Sequence, residues 1–210
     1  TTTAGGRIGA LYRGTSANAA NIGTITWRPT QALLNAYDQV NDVRYGAYFF
    51  DEPLLKAISS RTIHSVLINK YAGTTYGTPT ELLADAKVFR TGEMYLIRAE
   101  ARAETANLTG AAADLNELRA ARINNYTNAT FTTKDDIISA VMTERFKELP
   151  YEGHRFFDAK RRNLPITRLA VDAQGTALTL SSGNFRFILP IPNSEIQANP
   201  LMVQNPGYTN

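Results

Sequence analysis

Residues 88–163, VFRTGEMYLIRAEARAETANLTGAAADLNELRAARINNYTNATFTTKDDIISAVMTERFKELPYEGHRFFDAKRRN, decide how the rest of this chain is read. Their apolar spacing predicts three helices and the start of a fourth. The first runs from about Phe89 to Thr105. Met94, Ile97, Ala101 and Glu104 share one face of it, and Leu96, Ala99 and Ala103 share an adjacent one. Alanine favours helix, and its thin side chain lets a neighbouring helix come close. Residues 107–110 break the pattern. The second helix, from about Ala111 to Arg122, is expected to bury Ala112, Leu115, Leu118 and Ala121 and to turn Asp114, Glu117 and Arg122 outward. With so short a break, the two helices should fold back as an antiparallel hairpin.

Residues 124–132 are polar and aperiodic, which predicts a loop. Thr133 then opens the third helix: Thr133 and Asp136 fit a capping box in which hydroxyl and carboxylate each accept from an orphan amide. Ile138, Met142, Phe146 and Leu149 recur at helical spacing, with Ile137 and Val141 beside them. Pro150 sets the end near Leu149, and Gly153 keeps the backbone irregular. Phe156, Phe157 and Ala159 restart a short helix that ends in Lys160, Arg161 and Arg162.

The charges of this stretch need a reason. Glu144, Glu148 and Glu152 would share one face of a continuous helix, where like charges cost about 0.2–0.5 kcal/mol per pair. One reading is a network of carboxylates and guanidiniums that locks helix packing, formed by Arg119, Glu144, Arg145, Glu148, Glu152, Arg155 and Asp158, with Arg90 and Arg98 as further cations. The other is a catalytic carboxylate pair, or a metal cluster with His154. A catalytic pair must flank a cleft at a set separation, which neighbouring turns of one helix rarely do. A metal cluster calls for more histidines. The network is therefore the expectation, with no catalytic residue, no metal and no cofactor.

Four segments in order resemble one family. Residues 90–101 (RTGEMYLIRAEA) resemble the helix that opens the C-terminal region of SusD/RagB-type proteins, and residues 114–122 (DLNELRAAR) a second helix of that region. Residues 144–161 (ERFKELPYEGHRFFDAKR) are similar to its most distinctive signature, and residues 190–208 (PIPNSEIQANPLMVQNPGY) to its usual ending. Ala159 stands where the signature usually has Leu, and Pro150 is less usual there. The resemblance covers Arg28 to the C-terminus. It implies a mainly α fold of tetratricopeptide-like helical hairpins with a small β-hairpin or meander and long loops. The hairpin motif's own Trp and Gly marks are missing, so this follows from the resemblance alone. Relatives usually begin with a signal peptide and a lipid-modified cysteine, which implies that this chain is the C-terminal portion of a longer protein.

Composition sets broad limits. A chain of 210 residues with 43% hydrophobic content builds one sizeable core or two small ones. A net charge of +3, spread along the chain, is not the footprint of a nucleic-acid binder. Zero cysteines exclude a disulfide framework, a zinc ribbon and a cysteine nucleophile. No apolar run reaches the length of a membrane-spanning helix.

Residues 1–87 form a region of loops, short strands and one helix on the ligand-binding side, and residues 88–210 carry the helical region, hairpin and tail. Strands are expected at Ile8–Tyr12, Tyr45–Phe50 and Ser65–Lys70, and a helix from Thr30 to Val40. Asn41–Arg44 resembles the family's D-x-R element. Later strands are expected at Ile166–Val171, Ala177–Leu180 and Phe185–Leu189, and a helical turn after Asn193 or Ser194. The first third is aromatic: Tyr12, Trp27, Tyr37, Tyr45, Tyr48, Phe49, Tyr71 and Tyr76. Such rings fill cores. They also stack on the C–H face of sugars, and on that reading Trp27, Arg28, Tyr12 and Tyr45 are the candidate ligand-binding residues.

The resemblance implies a non-catalytic binding protein on the outer membrane, held there by an N-terminal lipid anchor. It would capture nutrient glycans, or in some members peptides, and deliver them to a SusC-like TonB-dependent transporter. The alternatives are a helical-repeat adaptor for protein partners and a glycoside hydrolase using Glu144 or Glu148.

Overall fold

The computed structural model describes residues 27–52, 65–73, 84–85, 87–173, 175, 177–199 and 201–208. The expectations for Tyr12, Tyr76, the strand at residues 8–12 and most of residues 74–86 lie outside them. The chain divides into two compact units, Thr1–Pro150 and Tyr151–Asn210.

The first unit is mainly α. Helix α1 is Gln31–Asn35 and α2 is Val43–Tyr48; β1 (Phe49–Asp51) and β2 (Val66–Ile68) follow, then α3 (Thr91–Glu104), α4 (Leu108–Ala120) and α5 (Lys134–Glu148). The three long helices fall where their periodicity puts them. Helix α4 starts earlier than expected because Asn107 caps it: its side chain accepts from the Gly110 amide at 2.9 Å. Thr133 caps α5 by accepting from the Asp136 amide at 3.1 Å. The Asp136 carboxylate accepts from the Thr133 hydroxyl, not from its amide, so the capping box is closed side chain to side chain.

Helices α3 and α4 form the expected antiparallel hairpin. Tyr95 meets Glu117, Arg98 meets Asp114 and Arg102 meets the Gly110 carbonyl, so partners advance along one helix as they retreat along the other. Helix α5 also runs opposite to α3, with Arg90 at Glu148 and Glu104 at Lys134. It therefore runs in the same sense as α4, and the connector between them has to travel the length of the pair. Asn116 holds that connector, accepting from Tyr126 and Ala129 and donating to the Ala129 carbonyl. The seam is filled by Leu96, Ala99, Ala103, Ala111, Leu115, Ile137 and Val141, all without solvent exposure. Small residues at Ala99, Ala103 and Ala111 are what allow this approach.

Several expectations fail here; Ala121, expected in the buried stripe of α4, is exposed. Asp114 was expected outward and is buried, because Arg98 and Arg102 reach over it from α3. The strand expected at Tyr45–Phe50 is helical through Tyr48, and only Phe49–Asp51 is extended. The aromatic run reads as β, but Asp42 caps a helix start by accepting from the Arg44 amide at 3.1 Å. The helix beginning at Thr30 is also shorter than expected, ending at Asn35. Strands β1 and β2 pair antiparallel, Phe49 opposite Ile68 and Asp51 opposite Val66.

In the second unit α6 (His154–Arg161) leads into β3 (Ile166–Thr167), which pairs with β4 (Thr179–Leu180). The strand expected at Phe185–Leu189 is instead a 3-10 turn over Phe185–Phe187, since the Asn184 side chain accepts from the Arg186 amide and closes the turn. Residues 170–172 likewise form a 3-10 turn and shorten the expected strand. Helix α7 (Asn193–Ala198) has Pro192, not Asn193 or Ser194, at its cap. The tail folds back on this turn: Gln204 pairs with both backbone groups of Ile191, and Tyr208 donates to the Ile188 carbonyl.

Candidate functional site

The densest chemistry of the first unit is a buried cluster of charges where α2, α3, α4 and α5 meet. Asp42 is stitched to the end of α4, since the Val43 amide donates to the Arg122 carbonyl and the Asn124 amide to the Asn41 carbonyl. From that anchor its carboxylate receives Arg44 through Nε at 2.8 Å and Nη2 at 2.7 Å. Arg44 then spans both α5 glutamates, Nη2 lying 2.7 Å from Glu144 Oε1 and Nη1 2.9 Å from Glu148 Oε2. Glu144 also holds Arg119 Nε at 2.7 Å and stands 3.5 Å from Lys147 Nζ. Glu148 also holds Arg90 Nη2 at 2.7 Å and Arg122 Nη2 at 3.0 Å.

The same place ends helix α5. Its last carbonyls are orphan acceptors, and side chains fill them. Tyr37 donates to the Lys147 carbonyl at 2.6 Å, Arg90 to the Glu148 carbonyl at 2.7 Å, and Lys70 to the Glu148 and Pro150 carbonyls at 3.0 and 3.1 Å. Positive charge at a helix C-terminus is also favoured by the helix dipole.

Glu144 and Glu148 have no exposed surface. Burial alone would raise their pKa values. Arg44, Lys147 and Arg119 outweigh it for Glu144, and Arg122, Arg44 and Arg90 for Glu148, so both stay below the usual carboxylate range. Burial lowers Lys147 and the nearby arginines reinforce it, more than Glu144 and Asp42 raise it. Tyr48, which accepts from Arg90 at 3.1 Å, is raised by burial and by Glu148. Paired, enclosed and hydrogen-bonded carboxylates of this kind hold elements together; they have no face from which to meet a substrate. Among the described residues no group of three or more His, Asp or Glu side chains is placed to hold a metal.

The sequence-predicted residues are distributed as follows. Arg119, Glu144 and Glu148 come together in the cluster, and Arg145 is buried in the same helix. Arg90 joins it, whereas Arg98 serves Asp114 instead. Glu152, Arg155 and Asp158 belong to the second unit, where Asp158 pairs with Arg161 at 2.7 Å. Four members were missed: Asp42, Arg44, Lys147 and Arg122, the last of which was expected to face outward and instead clamps Glu148. The D-x-R pair was visible, but nothing in local spacing says that it reaches α5.

Trp27 is 58% exposed, and Arg28 beside it is half-buried, which lowers its pKa. The chain is then fixed by buried Pro29 and by Thr30 capping α1. Tyr45 is partly buried against the rings of Tyr37 and Phe49, with centroids 6.2 and 5.5 Å away, so much of its surface is spent on packing. Tyr12 lies outside the described residues.

A second feature is a pocket of about 210 Å³ on the α3–α4 hairpin, lined by Thr91, Gly92 and Tyr95 on one side and by Glu117, Leu118, Ala121 and Arg122 on the other.

The first unit is thus a helical-hairpin scaffold locked by a buried ion cluster. The model of the SusD family matches residues 24–208, and the chain belongs to that family. Among solved structures it resembles a SusD superfamily protein from Bacteroides thetaiotaomicron, at 28% identity and a TM-score of 0.69, covering 84% of this chain and 40% of that one. A SusD superfamily protein from Bacteroides vulgatus is 29% identical with a TM-score of 0.62, covering 81% and 36%. A protein from Bacteroides vulgatus described as a candidate sugar binder is 25% identical with a TM-score of 0.64, covering 92% and 44%. This chain thus spans less than half the length of these relatives. No curated protein matches it.

Proposed function

We propose that this chain is part of a non-catalytic, cell-surface receptor that captures nutrient glycans at the outer membrane and hands them to a SusC-like TonB-dependent transporter. The observation that carries the glycan reading is Trp27, left open to solvent beside Arg28 on a rigid scaffold of the SusD family. An indole offers a flat apolar face to sugar C–H groups, and a guanidinium offers several donors to hydroxyls. The description of a relative as a candidate sugar binder supports the same class of ligand. A hydrolase reading is disfavoured by the enclosure of Glu144 and Glu148 among arginines.

Recognition by stacking and a few hydrogen bonds gives weak, fast-exchanging binding, which suits a hand-over role. The test is a glycan-array screen of this chain beside its full-length parent. Binding that is lost in Trp27→Ala at an unchanged melting temperature supports the reading, as does co-purification of the parent with a large outer-membrane barrel. Turnover of a bound glycan, abolished by Glu148→Gln in a folded protein, would overturn it.

A further inference from the structure

We propose that the pocket on the α3–α4 hairpin is a subsite for a single neutral pyranose ring, separate from the Trp27–Arg28 segment. The proposal rests on the glycan-binding reading above and adds a second place of contact to it.

Size comes first. At about 210 Å³ the pocket lies below the roughly 300–1,000 Å³ of sites for drug-sized ligands, so it holds one ring and not an oligosaccharide. Its surfaces match the two faces of a pyranose. Gly92, Leu118 and Ala121 supply apolar walls, and Tyr95 supplies an aromatic one.

The polar groups are few and fixed. Tyr95 donates to Glu117 Oε1 at 2.6 Å, which orients the carboxylate; Glu117 Oε2 has no hydrogen-bond partner among the described residues. That oxygen is an open acceptor for a hydroxyl. Arg122 is clamped by Glu148 through Nε and Nη2, so it cannot swing away. Its Nη1 makes only a long 3.4 Å bond to the Ala121 carbonyl and remains a donor. The Thr91 hydroxyl, also without a partner among the described residues, both donates and accepts. A sugar hydroxyl needs both, and this set provides both.

Charge selects the neutral ring. Glu148 is shared among Arg44, Arg90 and Arg122, so Arg122 keeps part of its positive charge, and Glu117 opposes it across the pocket, which leaves the lining near neutral. A single small ring held by a few contacts is expected to bind in the millimolar range.

The test is a titration of the isotope-labelled chain with the methyl glycosides of glucose, galactose and mannose, followed by amide chemical shifts, with acetate as the anion control. The expected result is saturable shifts at Thr91, Gly92 and Tyr95 with at least one pyranoside. They weaken about tenfold, the loss of one well-placed contact, in Tyr95→Ala and in Glu117→Gln, and persist in Trp27→Ala. Both variants alter side chains at the hairpin surface, and a thermal melt checks that each is folded. Silence of these amides toward all three pyranosides overturns the pocket. Shifts at the same amides with acetate as strong as with any pyranoside also overturn it, in favour of an anion site. Glycan binding that is lost in Trp27→Ala yet indifferent to Tyr95→Ala overturns the pocket alone and leaves the receptor reading standing.

Discussion

Arg44 reaches Glu148 across 104 positions of sequence, Nη1 to Oε2 at 2.9 Å, and neither side chain touches solvent to any useful extent. The same guanidinium also holds Asp42 and Glu144. One side chain therefore ties α2 and its cap to α5. A buried ion pair need not stabilise more than an apolar pair of the same shape, but breaking it by removing one partner strands the other charge. Arg44→Met is expected to cost about 3–5 kcal/mol, read as a shift in the urea midpoint. Combined with Glu148→Gln, the loss should be smaller than the sum of the two single losses, with a coupling of about 0.5–3 kcal/mol in the double-mutant cycle. A cost for Arg44→Met below about 1 kcal/mol, the size of an exposed pair, would show that the cluster is not holding the elements together.

The same cluster sets a pH dependence. Glu144 and Glu148 have lower pKa values folded than unfolded, so the unfolded chain binds more protons through that range and stability rises with pH. Their contribution is complete above the unfolded carboxylate value of about 4.3 and is lost as pH falls through the folded values. Urea midpoints should be level from neutral pH down to about 5.5 and drop steeply below about 4. In Glu148→Gln the acid drop should be shallower, from a lower plateau. A wild-type midpoint that declines evenly between pH 7 and 5 would contradict the lowered values.

Two glycines separate helix propensity from packing. A Cβ at Gly92 would sit 2.6 Å from Glu148 Oε1, and that carboxylate cannot yield because Arg90, Arg122 and Arg44 hold it. Gly92→Ala gains about 1 kcal/mol of propensity but meets an overpacking cost of about 1–3 kcal/mol, and the net effect is expected to be destabilising. Gly46, in α2, has nothing within 4 Å of the same added atom. Gly46→Ala should stabilise by about 0.4–1 kcal/mol. Melting temperatures that move in opposite directions for the two variants bear out the assignment.

What was legible in the sequence follows from how local each signal is. Helices α3, α4 and α5 carry their own periodicity and stop residues, and were placed within a few positions. Leu115 was in the expected buried set, whereas in α5 the fully buried Ile137 and Val141 stood beside the expected stripe, of which Ile138 and Phe146 are only partly buried. Asp114 and Asp42 were not expected inside, because a buried carboxylate is made tolerable by an arginine from another element, which spacing cannot show. The strand readings at Tyr45–Phe50 and Phe185–Leu189 failed for a related reason. Aromatic and β-branched residues favour extended chain, but a single Asp42 or Asn184 side chain accepting from the amide two residues on turned each into a helical start. Glu144 and Glu148 were noticed for their awkward spacing on one face, and that awkwardness is what three elements of cations offset.

Asp114 gives the sharpest contrast between a buried and an exposed ion pair made by side chains of α3. Its carboxylate is almost fully enclosed, held by Arg98 Nη2 at 2.6 Å and Nε at 3.0 Å and by Arg102 Nη1 at 2.8 Å. Asp114→Asn keeps the shape but turns an amide nitrogen toward guanidinium donors and removes the charge, at an expected cost of about 1.5–3 kcal/mol. The Lys134–Glu104 bridge is as short, at 2.7 Å, but both side chains stand largely in water. Lys134→Ala should therefore change stability by less than about 1 kcal/mol, and molar salt should erase even that. The wild-type and Lys134→Ala midpoints are expected to converge at high salt while Asp114→Asn stays apart. Convergence of all three would mean that Arg98 and Arg102 leave Asp114 open to water.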